Sequence, residues 1–311
     1  MTVDVIVGDC RTVLRNLPEE FFQCVVTSYP YWNLRAYAGM QDVTWADGTS
    51  CPWGREPSFA DWVRHSVEVS HEVRRVLRRD GTFWLNIGKS WNGKRSFKGK
   101  VEGTDGVFDR RRGGLAGVVD EGCIVDASYK VGDLILQGPL LAEALRQDGW
   151  WLRQDITWAK TNPKPEAVRS RPANAHEFVF LLTRGMDYFY DEAAVRQPYA
   201  EATLPQLGTR YGGSGTKDYG STGAEDPSDV KRRVVKSLEK RGGRNLRTVW
   251  RCEEDVWETN TQAVPGAHTA TFPEALVELC IKAGSRAGDR VLDPCGGSGT
   301  VGVVAKRLGR D

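Results

Sequence analysis

The feature that most constrains the fold of this chain is an alternation of short β-branched runs with stretches of helical spacing over its first 87 residues. The runs at residues 3–7, 23–27 and 82–87 predict strands, and residues 11–17 and 59–77 predict helices. Strands that alternate with helices form parallel sheets, because each helical crossover returns the chain to the same edge. The sequence therefore predicts an α/β fold with a mostly parallel sheet.

The alternation returns after a segment rich in glycine and basic residues, which predicts a loop. Residues 177–183 contain a continuous apolar run, which is typical of a strand buried on both faces. A second change of composition, over residues 197–260, precedes a final helix, strand, glycine loop and helix. The further predicted helices are residues 139–148, 272–283 and 301–308, and the further predicted strands are residues 149–161, 177–183 and 290–292.

A glycine-rich turn, residues 293–300 (DPCGGSGT), lies between the last predicted strand and the last predicted helix. Glycines let the backbone approach a ligand closely, and a helix N-terminus offers free N–H groups. The spacing matches neither the phosphate loop GxxxxGK[ST] nor the dinucleotide pattern GxGxxG. The turn therefore favours a nucleoside-type cofactor, with a purely structural tight turn as the alternative.

An aromatic loop, residues 28–32 (SYPYW), directly follows the strand predicted at residues 23–27. Ligands of α/β proteins bind at the carboxyl ends of parallel strands, so this position favours a binding site. The alternative is a turn that uses Pro30 for rigidity and Tyr31 and Trp32 for packing. Taken alone, the loop leaves both interpretations open.

Both loops resemble motifs of one enzyme family. Residues 27–32 (TSYPYW) resemble the TSPPYW motif of amino-group DNA methyltransferases, and residues 293–300 resemble their DPFxGSGT cofactor loop. The order of the two motifs, with the catalytic loop first, resembles the circularly permuted beta class of this family. Further segments that resemble its motifs are residues 8–9, 81–88, 155–163, 175–183 and 268–273.

The resemblance implies a Rossmann-like S-adenosylmethionine-dependent methyltransferase fold, circularly permuted in motif order, with an inserted target-recognition region. It implies methyl transfer from S-adenosyl-L-methionine to the exocyclic N4 of a cytosine flipped out of duplex DNA. Ser28 favours cytosine, and N6-adenine methylation is the alternative. A further alternative is a catalytically weak or inactive DNA-binding relic of the family, whereas the glycine spacing disfavours a nucleotide-dependent oxidoreductase.

The resemblance also assigns roles to residues. The Ser28 hydroxyl and the Tyr29 carbonyl are expected to accept the N–H groups of the target amine, while Tyr31 stacks on the base. No metal is expected in the site. The expected catalytic residues are Ser28, Tyr29, Pro30 and Tyr31. The expected cofactor-binding residues are Asp9, Thr27, Thr271, Phe272, Asp293, Gly296, Gly297 and Gly299.

The chain departs from the family pattern at three places. Tyr29 replaces a proline, which would fix the backbone φ angle. Cys295 and Gly296 replace Phe-Ala or Phe-Gly, and the sequence stops at Asp311, before a family strand whose acid binds the cofactor ribose. The Pro294-Cys295 pair resembles the nucleophile of cytosine-C5 enzymes, which we interpret as a coincidence.

Basic residues are concentrated in segments although the formal net charge is only +2. Residues 230–251 carry nine basic side chains and one acidic one, a pattern that suits a phosphate backbone. A solvated basic surface is the alternative. We expect DNA contacts in this segment from Arg232, Arg233, Lys236, Arg241 and Arg244.

The same composition predicts the domain organisation. Residues 1–195 and 258–311 are expected to form the catalytic and cofactor-binding domain, and residues 196–257 an inserted basic, glycine-rich target-recognition region. Residues 92–128 are expected to form a mobile DNA-contacting loop. The expected partner is double-stranded DNA, and a homodimer is possible because relatives often dimerise.

Other classes of protein are disfavoured by composition. No run approaches the roughly 18 apolar residues of a membrane helix. The N-terminus lacks a basic region and a long apolar region, so we expect a cytoplasmic protein of a bacterial or phage-infected cell. The seven scattered cysteines include no CxxC pair, which argues against a zinc knuckle and a disulfide framework.

Overall fold

The computed structural model describes most of the chain. The described residues are 3–34, 36–37, 40–93, 118–119, 124–161, 163, 169–199, 236–237, 240, 242–252 and 273–311. The helices are α1 (Cys10–Arg15), α2 (Phe59–Val76), α3 (Gln137–Gln147), α4 (Glu274–Gly284) and α5 (Thr300–Arg307). The strands are β1 (Phe22–Ser28), β2 (Ala36–Tyr37), β3 (Val43–Thr44), β4 (Ser50–Cys51), β5 (Leu77–Ile87), β6 (Ser90–Trp91), β7 (Val118–Val119), β8 (Leu134–Ile135), β9 (Trp151–Lys160), β10 (His176–Thr183), β11 (Val249–Cys252) and β12 (Val291–Leu292).

A six-stranded sheet with the order β11-β9-β10-β5-β1-β12 forms the centre of the fold. Strand β1 pairs in parallel with β5 on one side and with β12 on the other. Strand β10 runs antiparallel to both of its neighbours, and β11 is parallel to β9. Within the described sheet, β10 alone therefore runs against the other five strands, which confirms the predicted mostly parallel α/β fold.

The central strands and helix α2 follow directly from their sequences. Strand β1 is buried along almost its whole length, as expected for a strand covered on both faces. Helix α2 begins after Ser58, whose side chain accepts the amide hydrogen of Asp61. The helix then buries Trp62, Val69 and Val73 completely. This burial holds α2 in the hydrophobic core that also contains β1 and β5.

A buried polar cluster supports the segment that packs behind the aromatic loop. His65 of α2 places Nδ1 at 3.3 Å from the Glu56 carboxylate and Nε2 at 3.2 Å from Asp47. Trp45 stacks on the imidazole with ring centroids 4.1 Å apart. The backbone carbonyl of Glu56 in turn accepts the indole N–H of Trp32 at 3.0 Å. The cluster thus connects α2 to the loop that follows β1.

The N-terminal segment differs from its prediction. Residues 3–7 form no strand, and Val5 and Val7 are 81% and 94% exposed. A strand needs a neighbour that completes its backbone hydrogen bonds, and among the described residues this run pairs with none. The strand prediction for residues 3–7 was therefore wrong.

The chain divides into two compact units, Met1–Tyr190 with Thr248–Asp311, and Asp191–Arg247. In the second unit, Gln197 and Arg244 exchange two backbone hydrogen bonds of 2.9 and 2.8 Å. Strand β11 belongs to the central sheet, so the sheet resumes inside the segment expected to be an insertion. In the described part of the chain, no helix combines the length and apolar character required to cross a membrane.

Candidate active site

The candidate site lies at the edge of the sheet where the parallel strands β1, β5 and β12 end. Ser28 is the last residue of β1, Asn86 pairs with it near the end of β5, and Asp293 directly follows β12. Because β10 runs antiparallel, its first residues, His176 and Glu177, lie at this same edge. Carboxyl ends of adjacent parallel strands are the usual place for a ligand in an α/β sheet.

Asp293 joins the two predicted motifs. The hydroxyl of Thr27 donates to its Oδ1 at 2.6 Å, and the backbone N–H of Cys295 donates to the same oxygen at 3.0 Å. Burial of the carboxylate raises the pKa of Asp293 to about 6, although both hydrogen bonds act in the opposite direction. Two residues separated by most of the chain are thereby brought together.

The glycine loop after β12 has the open backbone expected of a cofactor cradle. Gly297 and Gly299 have φ angles of +50° and +82°, which favour glycine because a side chain would be strained. The amide of Gly299 donates to the Gly296 carbonyl at 2.6 Å, which closes the turn before α5. A Cβ built on Gly299 would meet nothing within 4 Å, so the loop borders open space. These features fit a nucleoside-type cofactor that contacts the backbone.

Asp9 lies beside this loop, but in the structure it has a local partner. Its side chain caps α1 by accepting the Arg11 amide hydrogen at 3.0 Å and also pairs with the Arg11 guanidinium at 3.0 Å. The next residue, Cys10, has its thiol hydrogen-bonded to Cys295 of the glycine loop, which lowers the pKa of Cys10. The residue that follows Asp9 therefore contacts the glycine loop.

Cys295 has the properties of a partly buried, protonated thiol rather than of a nucleophile. Its neighbour Cys10 and its burial raise the pKa of the Cys295 thiol well above the ordinary value. A thiolate, and not a thiol, is the reactive species of a catalytic cysteine. The raised pKa agrees with the interpretation of the Pro294-Cys295 pair as a coincidence.

The side chains of the aromatic loop separate into two groups. Tyr31 is directed to the site, where its hydroxyl donates to Glu177 Oε2 at 2.7 Å and lies 3.4 Å from Ser28 Oγ. Tyr29 is buried in the core, and its hydroxyl forms a 3.0 Å hydrogen bond with Ser70 of α2. The backbone carbonyl of Pro30 accepts the Trp62 indole N–H at 2.9 Å. Core packing of Tyr29 thus anchors the loop where the family uses a rigid proline.

The structure adds three residues to which sequence reasoning gave no role. Glu177 contacts the Tyr31 hydroxyl, and Lys160 Nζ lies 3.0 Å from Glu177 Oε1. The Asn86 amide donates to the Phe178 carbonyl at 3.0 Å and lies 3.3 Å from Glu177 Oε2. All three lie in segments that resemble family motifs. The resemblance therefore marked these segments, but it assigned no role to the three residues.

The structure describes only some of the remaining predicted site residues. In the second unit, Lys236 is exposed and Arg244 is half-buried. The other predicted site residues lie outside the described residues; they are Arg232, Arg233, Arg241, Thr271 and Phe272.

Comparison of the sequence with known proteins gives consistent matches. A family model described as DNA methylase, which covers N6 and N4 methyltransferases, matches residues 22–311. The Type II methyltransferase M.SmaI of Serratia marcescens is 38% identical over 308 residues, which are 99% of this chain and 84% of that protein. M.Cfr9I of Citrobacter freundii is 36% identical over 304 residues, with 97% and 79% covered.

Solved structures share the architecture. The PvuII DNA methyltransferase, described as cytosine-N4-specific, matches with a TM-score of 0.58 and 17% identity over 98% of this chain and 78% of that one. A DNA modification methylase of Thermus thermophilus, in complex with S-adenosyl-L-methionine, matches with a TM-score of 0.51 and 20% identity over 98% and 83%. The likeness shows the Rossmann-like methyltransferase fold.

Proposed function

The chain belongs to the N6/N4 DNA methylase family, and from this premise we propose that it methylates the N4 amine of cytosine in duplex DNA, with S-adenosyl-L-methionine as the methyl donor. The observation that carries the proposal is the position of Ser28, at the end of β1 beside Tyr31 and one residue from the Thr27–Asp293 contact. A hydroxyl acceptor therefore lies between the proposed base pocket and the proposed cofactor loop.

The chemistry requires acceptors more than a strong base. The exocyclic amine is a poor nucleophile because its lone pair is delocalised into the ring. Ser28 Oγ and the Tyr29 carbonyl would accept the two N–H groups, make the nitrogen more tetrahedral and direct its lone pair at the methyl group, which is mainly a positioning task. The extra proton on the methylated nitrogen is very acidic and leaves without a strong base.

The glycine loop and Asp293 fit the proposed cofactor. Gly296, Gly297 and Gly299 would let the backbone approach its methionine end and ribose, and the Asp293 carboxylate would accept a hydrogen bond or pair with its ammonium group. Bound S-adenosyl-L-methionine supplies an electrophilic methyl group on a sulfonium. We expect Asp9 near the adenine amino group, Thr27 beside the methyl group, and Thr271 and Phe272 against the adenosine.

The choice of cytosine depends on Ser28. A hydroxyl at this position is commoner in N4-cytosine enzymes, whereas a carboxylate is commoner in N6-adenine enzymes. Both amines present N–H donors to the same acceptors, so the preference is a matter of pocket shape. The base has to leave the duplex to reach the pocket, at a cost of a few kcal/mol, and Tyr31 would stack on it there.

The basic segment is proposed to bind DNA. We infer that residues 196–257 form the target-recognition region, with arginine and lysine contacts to phosphates. Replacement of Arg232, Arg233 and Arg241 by Ala should weaken DNA binding and reduce the slope of log K against log salt by about 3, roughly one per lost phosphate contact.

A matched set of arginines from the first unit provides the control for this segment. We expect no change in the salt slope when Ala replaces the exposed residues Arg78, Arg79 and Arg146. An unchanged slope in the first triple variant would remove residues 230–251 from the DNA interface. We also propose that the protein acts in the cytoplasm of a bacterial or phage-infected cell.

The function is tested by transfer of labelled methyl groups from S-adenosyl-L-methionine to mixed genomic DNA, followed by digestion and identification of the nucleosides by mass. N4-methylcytosine would support the proposal, and Ser28→Ala should abolish it. N6-methyladenine would show a DNA methylase of the other base specificity. If no methylated base forms although S-adenosyl-L-methionine binds, the protein is a DNA-binding relic.

A further inference from the structure

Glu177 is a charged residue that contacts the aromatic loop. It lies at the start of β10, and the antiparallel direction of this strand brings it to the edge where β1 ends. The side chain is only 15% exposed. One carboxylate oxygen, Oε2, lies 2.7 Å from the Tyr31 hydroxyl. A partly buried carboxylate therefore contacts the ring that is proposed to stack on the target base.

Two hydrogen-bond donors flank the Glu177 carboxylate, one on each oxygen. Lys160 Nζ lies 3.0 Å from Oε1, and the Asn86 amide lies 3.3 Å from Oε2. The Lys160 side chain is itself only 21% exposed, and its Nζ lies 4.7 Å from the centroid of the Trp158 ring. An ionised carboxylate only accepts hydrogen bonds. The bond with Tyr31 thus has one possible direction, from the phenol to the carboxylate.

The Tyr31 hydroxyl can donate one hydrogen bond, and Glu177 accepts it. The other acceptors near this proton are neutral and lie farther away, Asn86 Oδ1 at 3.1 Å and Ser28 Oγ at 3.4 Å. Burial and the charge of Glu177 keep the pKa of Tyr31 well above the ordinary value, so the phenol retains its proton. Its oxygen is left to accept a hydrogen bond from Ser28 Oγ, 3.4 Å away.

This direction matters because of what Ser28 has to do. A serine hydroxyl has one proton and two lone pairs. If Ser28 donates its proton to Tyr31, both lone pairs are available for the N–H group of the target amine. If Tyr31 instead donated to Ser28, one lone pair would be occupied and the serine proton would compete with the amine.

We propose that Glu177 is a positioning residue for methyl transfer, which fixes the direction of the hydrogen-bond chain from Ser28 through Tyr31 to Glu177 and so keeps Ser28 an acceptor. The inference rests on the proposed function, because it concerns the same pocket. It also gives a role to the Ala-His-Glu segment and to Lys160, which neutralises the charge of Glu177.

The test is a double-mutant cycle with Tyr31→Phe and Glu177→Gln in the full chain. Glutamine keeps the size of the side chain but offers both a donor and an acceptor, so the direction is no longer imposed. The single-turnover rate of methyl transfer should fall about tenfold in Glu177→Gln and at least as much in Tyr31→Phe. The Kd for S-adenosyl-L-methionine and the Tm should not change in Glu177→Gln.

The double variant distinguishes this role from a general structural one. If Glu177 acts through the Tyr31 hydroxyl, Glu177→Gln should cause no further loss in the Tyr31→Phe background. A further loss of about tenfold, or a wild-type rate in Glu177→Gln alone, would overturn the proposal. Glu143→Gln is the matched control, because Glu143 is an exposed carboxylate paired with Arg146 on α3.

A second measurement does not depend on methylation. The Cζ carbon signal of Tyr31 in ¹³C-tyrosine-labelled protein, assigned by its loss in Tyr31→Phe, should shift in Glu177→Gln and not in Glu143→Gln. An unmoved signal would overturn the inference even where methylation is observed. If the signal shifts in Glu177→Gln but the wild-type protein methylates no DNA, the contact is supported and the proposed function is refuted instead.

Discussion

The pKa of Asp293 leads to a prediction about how cofactor binding depends on pH. The carboxylate is partly buried, desolvation raises its pKa to about 6, and both of its hydrogen bonds, from Thr27 and from the Cys295 amide, go to Oδ1. Oδ2 is then the oxygen that would receive a donor from S-adenosyl-L-methionine. Only the ionised carboxylate accepts fully at this oxygen, so protonation of Asp293 should weaken binding.

The magnitude follows from the ionised fraction. With a pKa of about 6, roughly a tenth of Asp293 is ionised at about pH 5 and roughly nine tenths at about pH 7. The apparent Kd scales inversely with the fraction of binding-competent protein, so it should be about tenfold larger at about pH 5 than at about pH 7. Above this range Kd should be constant until the α-amino group of the cofactor titrates, near about pH 8.

The stability of the unliganded protein should change in the opposite direction. Because the folded-state pKa of about 6 exceeds the ordinary value of 3.8, the native state binds the proton more tightly than the unfolded state. This contribution to stability is present below about pH 4 and is lost as the pH rises through about 6, with an upper limit of about 3 kcal/mol. The increase in Tm on addition of S-adenosyl-L-methionine should therefore be larger at about pH 7 than at about pH 5.

The assay is equilibrium dialysis of labelled S-adenosyl-L-methionine at constant ionic strength, over about pH 5 to 7.5, with wild-type protein and Asp293→Asn. The variant keeps the side-chain shape and cannot titrate, so its Kd should be weak and independent of pH. A wild-type Kd that does not change over this range would refute the role of Asp293. An equal change in Asp293→Asn would assign the pH dependence to another group.

Three further substitutions test the packing around the site. Gly88→Ala would place a Cβ 2.5 Å from Tyr31 Cε2, so the methylation rate should fall far more than cofactor affinity, as single-turnover rates and dialysis would show. His65→Leu leaves the buried carboxylate of Glu56 without its imidazole partner and should lower the free energy of unfolding by about 3 kcal/mol in urea titrations. Gly299→Ala forces a side chain to a φ of +82° and should cost about 1–2 kcal/mol of stability, measured in the same titrations, and weaken cofactor binding.

Local sequence patterns predicted the sheet and the motif-bearing loops well. Helix α2 was predicted over residues 59–77 and is observed at Phe59–Val76, because its buried face repeats with helical spacing over five turns. Ser28 and Asp293 follow two apolar runs, and parallel pairing of β1 with β12 brings them together. These parts of the site depend on information contained in short segments.

Roles that depend on distant contacts did not follow from the pattern. Glu177 reaches Tyr31 only because β10 reverses direction in an otherwise parallel sheet, and no local signal specifies that reversal. Tyr29 replaces a proline, which would have fixed the backbone φ angle at this position. In the structure the ring packs in the core and its hydroxyl bonds to Ser70, so tertiary contacts provide an anchor that the residue type alone does not indicate.

The N-terminal segment shows that a β-branched run does not by itself specify a strand. A β-branched run favours an extended backbone, but a strand also needs a neighbouring strand with which to pair. Among the described residues, residues 3–7 pair with no strand. The turn that follows is held by two contacts, because Asp9 caps α1 and the Cys10 thiol bonds to Cys295 of the glycine loop. The helix cap and the contact with the loop, rather than pairing of the preceding run, therefore position Asp9. Substitutions at Cys10 should consequently affect cofactor affinity more than substitutions at Val5, which dialysis of both variants would show.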